Sequence, residues 1–266
     1  MKKFLVALII IAVMLYTGNT WIKTTEVTIE SEKITATFDG LKIAQISDLH
    51  DATFGEKQMK LVQKILNAKP DVIFITGDLI DSNRYDLQNS LDMVEQLILV
   101  APVYYVTGNH EIAINDVDHI KKLLTDLGVI VLSNEEQWIE KDGERLRVIG
   151  IEDPLNGVSV ADALSSFEQS EDFTLVLSHR PETFQVYVEN KLDVVFAGHA
   201  HGGQFRIPGV GGLVAPGQGL FPTFTSGLYE ENGTNMIVSR GLGNSIIPVR
   251  IFNTPEIVVV TLKKEK

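Results

Sequence analysis

Lys42-Ile43-Ala44-Gln45-Ile46-Ser47-Asp48-Leu49-His50 is a short apolar run that ends in two metal-ligand side chains. Four more runs end in the same way. Val72-Ile73-Phe74-Ile75 leads to Gly77-Asp78, and Val103-Tyr104-Tyr105-Val106 leads to Gly108-Asn109-His110-Glu111. Thr174-Leu175-Val176-Leu177 leads to Ser178-His179, and Val194-Val195-Phe196-Ala197 to Gly198-His199-Ala200-His201. Each run is β-branched or aromatic and nearly continuous in apolar character, which is how a strand buried on both faces reads. In open α/β sheets, ligands bind beyond the carboxyl ends of the strands. Five motifs far apart in sequence are therefore expected to meet at one edge in space. Five of the 6 histidines fall in them. His119 lies outside, in a helical stretch beside Asp116 and Asp118, and reads as a solvated surface residue.

Between the runs the chain alternates. Glu56 to Ala68 and Asp86 to Val100 carry helical periodicity, each stopping before a proline. Asn115 reads as the N-cap of a third helix that Gly128 ends. Strands are expected at 129–132, 137–140 and 146–151, with Asp142-Gly143 as a hairpin turn. A short helix is expected over 160–167, Gly- and Pro-rich loops over 202–222, and closing strands at 236–239 and 257–262. The expectation is one α/β (α+β) domain over residues 38–262, an αβ half followed by a β-richer half.

At 266 residues one large domain is expected. A net charge of −12 argues against a stable nucleic-acid partner, but not against a phosphorylated substrate, since bound cations reverse the local field. With no cysteine, zinc-finger and disulfide frameworks are excluded. Lys2 and Lys3 precede an unbroken apolar run, Phe4 to Tyr16, with no A-x-A-like cleavage site after it. Residues 1–22 read as a retained membrane anchor, with a cleaved signal segment as the alternative. The two lysines favour a cytoplasmic N-terminus and an extracytoplasmic catalytic domain.

The motif residues form a mixed nitrogen, carboxylate and amide set: Asp48, His50, Asp78, Asn109, His179, His199 and His201. Such a set suits Mn, Fe or Zn better than Mg or Ca. Two dications repel, so a bridging anion is needed, and Asp78 is central in order. Asp48 and His50 are spaced to face one ion, whereas the turn between His199 and His201 can send one to each. Two divalent metal ions held in this way would generate hydroxide and clamp an in-line displacement at phosphorus. His110 follows the ligand Asn109 and should face the substrate, placed to act as general acid. Glu111, or another carboxylate, would orient it.

This ordered set resembles the calcineurin-like metallophosphoesterase superfamily. The anchor and the tail motifs (His201-Gly-Gly-Gln, then Ser239-Arg-Gly-Leu-Gly-Asn) resemble its bacterial membrane-associated branch, the YkuE/YaeI-type phosphodiesterases. The resemblance implies a four-layer αββα sandwich. It also implies Asp48, His50, Asp78 and His201 at one metal, and Asp78, Asn109, His179 and His199 at the other. Glu111 departs from the Asp that many members carry there.

The expected function is a phosphoester hydrolase acting on a phosphodiester or pyrophosphate, with a metal-bridging hydroxide as nucleophile and His110 as acid. Its substrate is expected to be a phosphorylated small molecule or an envelope lipid-linked phosphate. Alternatives are a UDP-sugar pyrophosphatase of the lipid-A type and a non-catalytic metal-binding envelope protein. Arg180 is read as either a phosphate contact or a structural ion pair. Asn244 borders the site or caps a turn. Phe205, Phe221, Phe224 and Tyr229 form an apolar wall or pack in the core.

Overall fold

The structure is a computed structural model that describes residues 2–244 and 247–265. Ser245 and Ile246, at the end of a loop expected to border the site, lie outside the described residues.

The chain begins with helix α1 (Lys2–Thr20) and strand β1 (Lys23–Ser31). It continues through β2 (Lys42–Ile46), α2 (Met59–Ala68), β3 (Val72–Thr76), α3 (Leu87–Leu97), β4 (Val103–Val106), α4 (Asn109–Ala113), α5 (Val117–Leu127) and β5 (Ile130–Val131). The second half runs β6 (Glu135–Lys141), β7 (Glu144–Ile151), α6 (Val160–Ser165), β8 (Thr174–Ser178), α7 (Phe184–Glu189) and β9 (Val194–Ala197). Two small hairpins follow, β10 (Arg206–Ile207) with β11 (Gly211–Gly212), and β12 (Val214–Ala215) with β13 (Gly219–Leu220). β14 (Gly227–Glu231), β15 (Thr234–Val238) and β16 (Glu256–Lys264) close the chain.

The five motif strands divide between two sheets. β2, β3 and β4 lie side by side and parallel in a six-stranded sheet of order β1-β16-β2-β3-β4-β5. β8 and β9 lie parallel in a second six-stranded sheet of order β14-β15-β9-β8-β7-β6. Strand alternation explains why every motif strand is apolar on both faces. In β3, Ile73 and Ile75 face α2, α3 and α5, whereas Val72 and Phe74 face the other sheet. In β9, Val195 and Ala197 face α6 and α7, whereas Val194 and Phe196 face β3 and its neighbours. Phe74 and Phe196 meet edge to face across the centre, ring centroids 5.0 Å apart. Three apolar layers separate four layers of secondary structure, the αββα sandwich.

Asn115, expected to cap the third helix, instead turns left-handed (φ 53°) between α4 and α5, and Asp116 takes the N-cap position. The helix expected from Glu56 starts as an α-helix only at Met59, because Lys57 and Gln58 are left-handed. β1 lies before the expected start of the domain and pairs parallel with β16 over its whole length.

α1 carries 19 residues and is long and apolar enough to cross a membrane by length and composition. Its last turn is bonded to the body of the protein. Asn19 Oδ1 accepts from Asn244 Nδ2 at 2.8 Å and from the Arg250 backbone N–H at 3.2 Å.

Candidate metal centre

The carboxyl ends of the five motif strands open onto one rim shared by both sheets. One donor atom from each of Asp48, His50, Asp78 and His201 lies within 4.8 Å of the others, and the same holds for Asp78, His179 and His199. The two clusters share Asp78, whose Oδ2 is 3.5 Å from His50 Nε2 and 3.2 Å from His179 Nε2. His201 Nε2 is 3.5 Å from Asp48 Oδ1. His50 Nε2 and His201 Nε2 face each other at 3.1 Å. With metal–nitrogen bonds of roughly 2.0–2.1 Å, two ligands at a right angle stand about 2.9 Å apart and two tetrahedral ones about 3.3 Å. The observed spacing therefore suits a shared cation. The Asn109 side-chain oxygen is buried and has no hydrogen-bond partner among the described residues.

The backbone is bent to aim these groups inward. Asp48, His50, Asp78, His199 and His201 have φ of 50°, 48°, 50°, 64° and 47°. Such left-handed conformations cost on the order of 1–3 kcal/mol each and persist where surrounding structure enforces them. The loops pack backbone against backbone. A Cβ on Gly77 (φ +88°) would lie 2.6 Å from Gly108 N and 2.7 Å from His179 Nδ1, and one on Gly108 would overlap Asp78 Oδ1.

Electrostatics follow from burial and pairing. His179 Nδ1 donates to the Thr76 carbonyl at 2.8 Å, which turns Nε2 to the cluster. Burial disfavours its charged form, but the Asp78 carboxylate outweighs this and raises His179 to about 10. Burial likewise opposes ionisation of Asp78, yet His179, His50 and His110 hold it well below the ordinary carboxylate range. Burial keeps His50 and His199 well below the usual imidazole value and lowers His201. Neutral imidazoles offer a lone pair to a cation. Arg180 Nη1 donates to His199 Nε2 at 2.9 Å, which fixes the orientation of the His199 ring.

His110 sits beside these clusters, its ring edge-on to His50 at 4.5 Å. Its Nδ1 accepts from the Ser82 backbone N–H at 2.9 Å, so the proton of the neutral ring lies on Nε2. Glu111 does not orient it. The Glu111 carboxylate accepts from the backbone N–H groups of Gly108 (2.7 Å), Asp78 (3.0 Å), Leu79 (2.6 Å) and Ile80 (3.2 Å). Glu111 thus clamps the Asp78 loop to the Asn109 loop, and burial followed by the Asp78 charge pushes it up to about 7. The carboxylate near His110 is Asp81, with Oδ1 3.7 Å from Nδ1. Asp81 is held by Arg84 Nε at 2.9 Å, and Arg84 Nη2 reaches the Asn244 carbonyl at 2.6 Å.

Arg180 forms a bidentate ion pair with buried Asp153, at 2.6 and 2.9 Å. Asn244 borders a groove of about 280 Å³ beside His50, but its side chain is bonded to Asn19 and Arg250. Phe224 meets Phe184 and Tyr229 edge to face against the α6/α7 core, whereas Phe221 is exposed and Phe205 half-buried. His119 is exposed on α5. Several supporting residues carried no motif. Asn253 is buried and donates to the His201 carbonyl at 2.7 Å, fixing that turn. Arg250 is fully buried, lowered to about 10 by that burial, and donates to the carbonyls of Arg240 and Gly243. Asp81-Ser82-Asn83-Arg84 did leave a signal, as a polar run three residues past Asp78.

A family model described as calcineurin-like phosphoesterase matches residues 41–203, a span that contains every cluster residue. The chain is 32% identical over 247 residues to the metallophosphoesterase YkuE of Bacillus subtilis (strain 168), covering 91% of this chain and 86% of that one. It is 29% identical over 259 residues to a Danio rerio protein called transmembrane protein with metallophosphoesterase domain, covering 91% of this chain and 57% of that one. In fold it is similar to the Haemophilus influenzae NAD nucleotidase (NadN), with a TM-score of 0.51 at 16% identity over 76% of this chain and 45% of that one. The chain belongs to the calcineurin-like phosphoesterase family. It is a hydrolase, and its buried Asp/His cluster is a divalent-metal site of the kind a metal-dependent phosphoesterase requires.

Proposed function

We propose that the chain is a dinuclear phosphoesterase whose catalytic domain, residues 38–262 together with β1, stands on the outer face of a bacterial membrane. The observation that carries this is the pair of buried clusters sharing Asp78. Asp48, His50, Asp78 and His201 would hold one ion, and Asp78, Asn109, His179 and His199 the other. The unpartnered Asn109 oxygen and the inward-turned His179 Nε2 fit such ions. The donor set favours Mn, Fe or Zn. When bound, the pair polarises the phosphoryl oxygens and supplies a hydroxide nucleophile near neutral pH.

The chain's own residues do the rest. Asp78 holds the shared position, and Glu111 keeps its loop from moving. The Nε2–H of His110 stands beside the clusters, placed to donate a hydrogen bond to the leaving oxygen as negative charge develops there. Arg180, locked by Asp153, fixes the His199 ring. The apolar α1, beginning with Lys2 and Lys3, supports an anchored protein with an extracytoplasmic catalytic domain. Its attachment to the loop that borders the metal site supports a phosphodiester or pyrophosphate substrate from the envelope, with a lipid-linked phosphate favoured. Purified full-length protein should hydrolyse bis-p-nitrophenyl phosphate when supplied with Mn²⁺, Fe²⁺ or Zn²⁺. Absence of turnover with all three would overturn the proposal.

A further inference from the structure

The end of α1 and the start of α2 enclose a groove of about 670 Å³ that the metal chemistry does not use. Tyr16, Trp21, Ile22 and Met59 supply its apolar surface, and Lys60 and Lys64 also line it. Among the described residues no carboxylate lines it, although the chain carries a net charge of −12. Trp21 is 65% exposed and Met59 63%, an unusual state for large apolar side chains on adjoining elements. The groove is continuous with the helix that is long and apolar enough to span a bilayer, and it opens where that helix ends. Tyr and Trp at a helix end mark the level of the lipid headgroups. Two lysines at that level attract anionic headgroups, while the apolar surface beside them takes the start of an acyl chain.

We propose that this groove is a binding site for an anionic phospholipid of the surrounding bilayer, which seats the domain on the membrane surface. The seating has a consequence for the metal centre. Asn19, in the same last turn of α1, is bonded to Asn244 and Arg250 of the loop beside His50. A lipid in the groove therefore fixes the helix end from which that loop is held. The inference rests on α1 lying in a bilayer and is independent of which ester is hydrolysed.

The chain has 2 tryptophans, so Trp138→Phe leaves Trp21 as the only one. The full-length variant would be reconstituted into vesicles of equal parts phosphatidylcholine and phosphatidylglycerol, with one or the other brominated. Brominated phosphatidylglycerol should quench Trp21 about fivefold or more better than brominated phosphatidylcholine, since each lysine near an anionic surface contributes a factor of about five. Adding Lys60→Gln and Lys64→Gln should bring the ratio to about one. Changing two exposed lysines remote from the groove, Lys141→Gln and Lys191→Gln, should leave it unaltered. Equal quenching by both lipids, or an equal effect of the remote pair, would overturn the proposal. Because the readout is fluorescence, failure here is separable from failure of the hydrolase assay.

Discussion

Replacing Glu111 with Gln tests how the site is held together. The Glu111 carboxylate divides its four backbone donors evenly, Oε2 taking Gly108 and Asp78 while Oε1 takes Leu79 and Ile80. An amide has only one acceptor oxygen. Whichever way the substituted side chain is turned, its NH₂ faces two N–H groups, and two buried donors lose their partner. Each such loss costs about 1–3 kcal/mol, so Glu111→Gln should destabilise the protein by roughly 2–6 kcal/mol. That is a large share of the roughly 5–15 kcal/mol by which a domain is stable. Because the lost bonds hold the Asp78 loop, the damage should fall on metal binding as well as on folding. Urea unfolding of the metal-free protein and metal content after loading with Mn²⁺ measure the two effects. A change below about 0.5 kcal/mol with full metal content would refute the clamp, since even one lost buried bond costs more than that.

Four further outcomes are expected. His110→Ala should lower kcat by about 10²–10⁴-fold with metal content unchanged, and loss of metal instead would make His110 a ligand. Gly108→Ala, which drives a methyl group into Asp78, should abolish metal retention even where circular dichroism shows a folded chain. Raised to about 10 in the metal-free protein, His179 is protonated at pH 8, so loading with metal should release about one proton, read by calorimetry in buffers of different ionisation enthalpy. The sign follows for stability: His179 stabilises the metal-free fold fully below its unfolded value and loses that contribution as pH rises through about 10. Removing residues 1–22 keeps β1 but frees Asn244 and Arg250 from Asn19, so activity should fall while unfolding stays cooperative.

Much of this architecture is legible in the chain because buried strands and loop ligands obey local rules. Val72-Ile73-Phe74-Ile75 reads as a doubly buried strand and is one. What a run of apolar residues cannot say is which layers its two faces meet. One sheet between helices and two sheets face to face give the same local pattern, so it was the family resemblance, not strand periodicity, that pointed to αββα. β1 carries no apolar signature because Lys23-Thr-Thr-Glu-Val-Thr-Ile-Glu-Ser is mostly polar, and of its side chains only Ile29 is buried. Candidate ligands announced themselves by residue type. Their supports did not: a glutamate three residues after Gly108 looks the same whether it orients a histidine or ties down two loops. The distinction lies in where four N–H groups from residues 78–80 and 108 point, which only the folded backbone decides.

The central claim is that Asp78 joins two ions in one site. Anomalous diffraction from crystals of the Mn²⁺-loaded protein measures this directly. Two peaks about 3.5–4 Å apart are expected, both in contact with Asp78, one flanked by His50 and His201 and the other by His179 and His199. A single peak, or two peaks of which Asp78 touches only one, would contradict it.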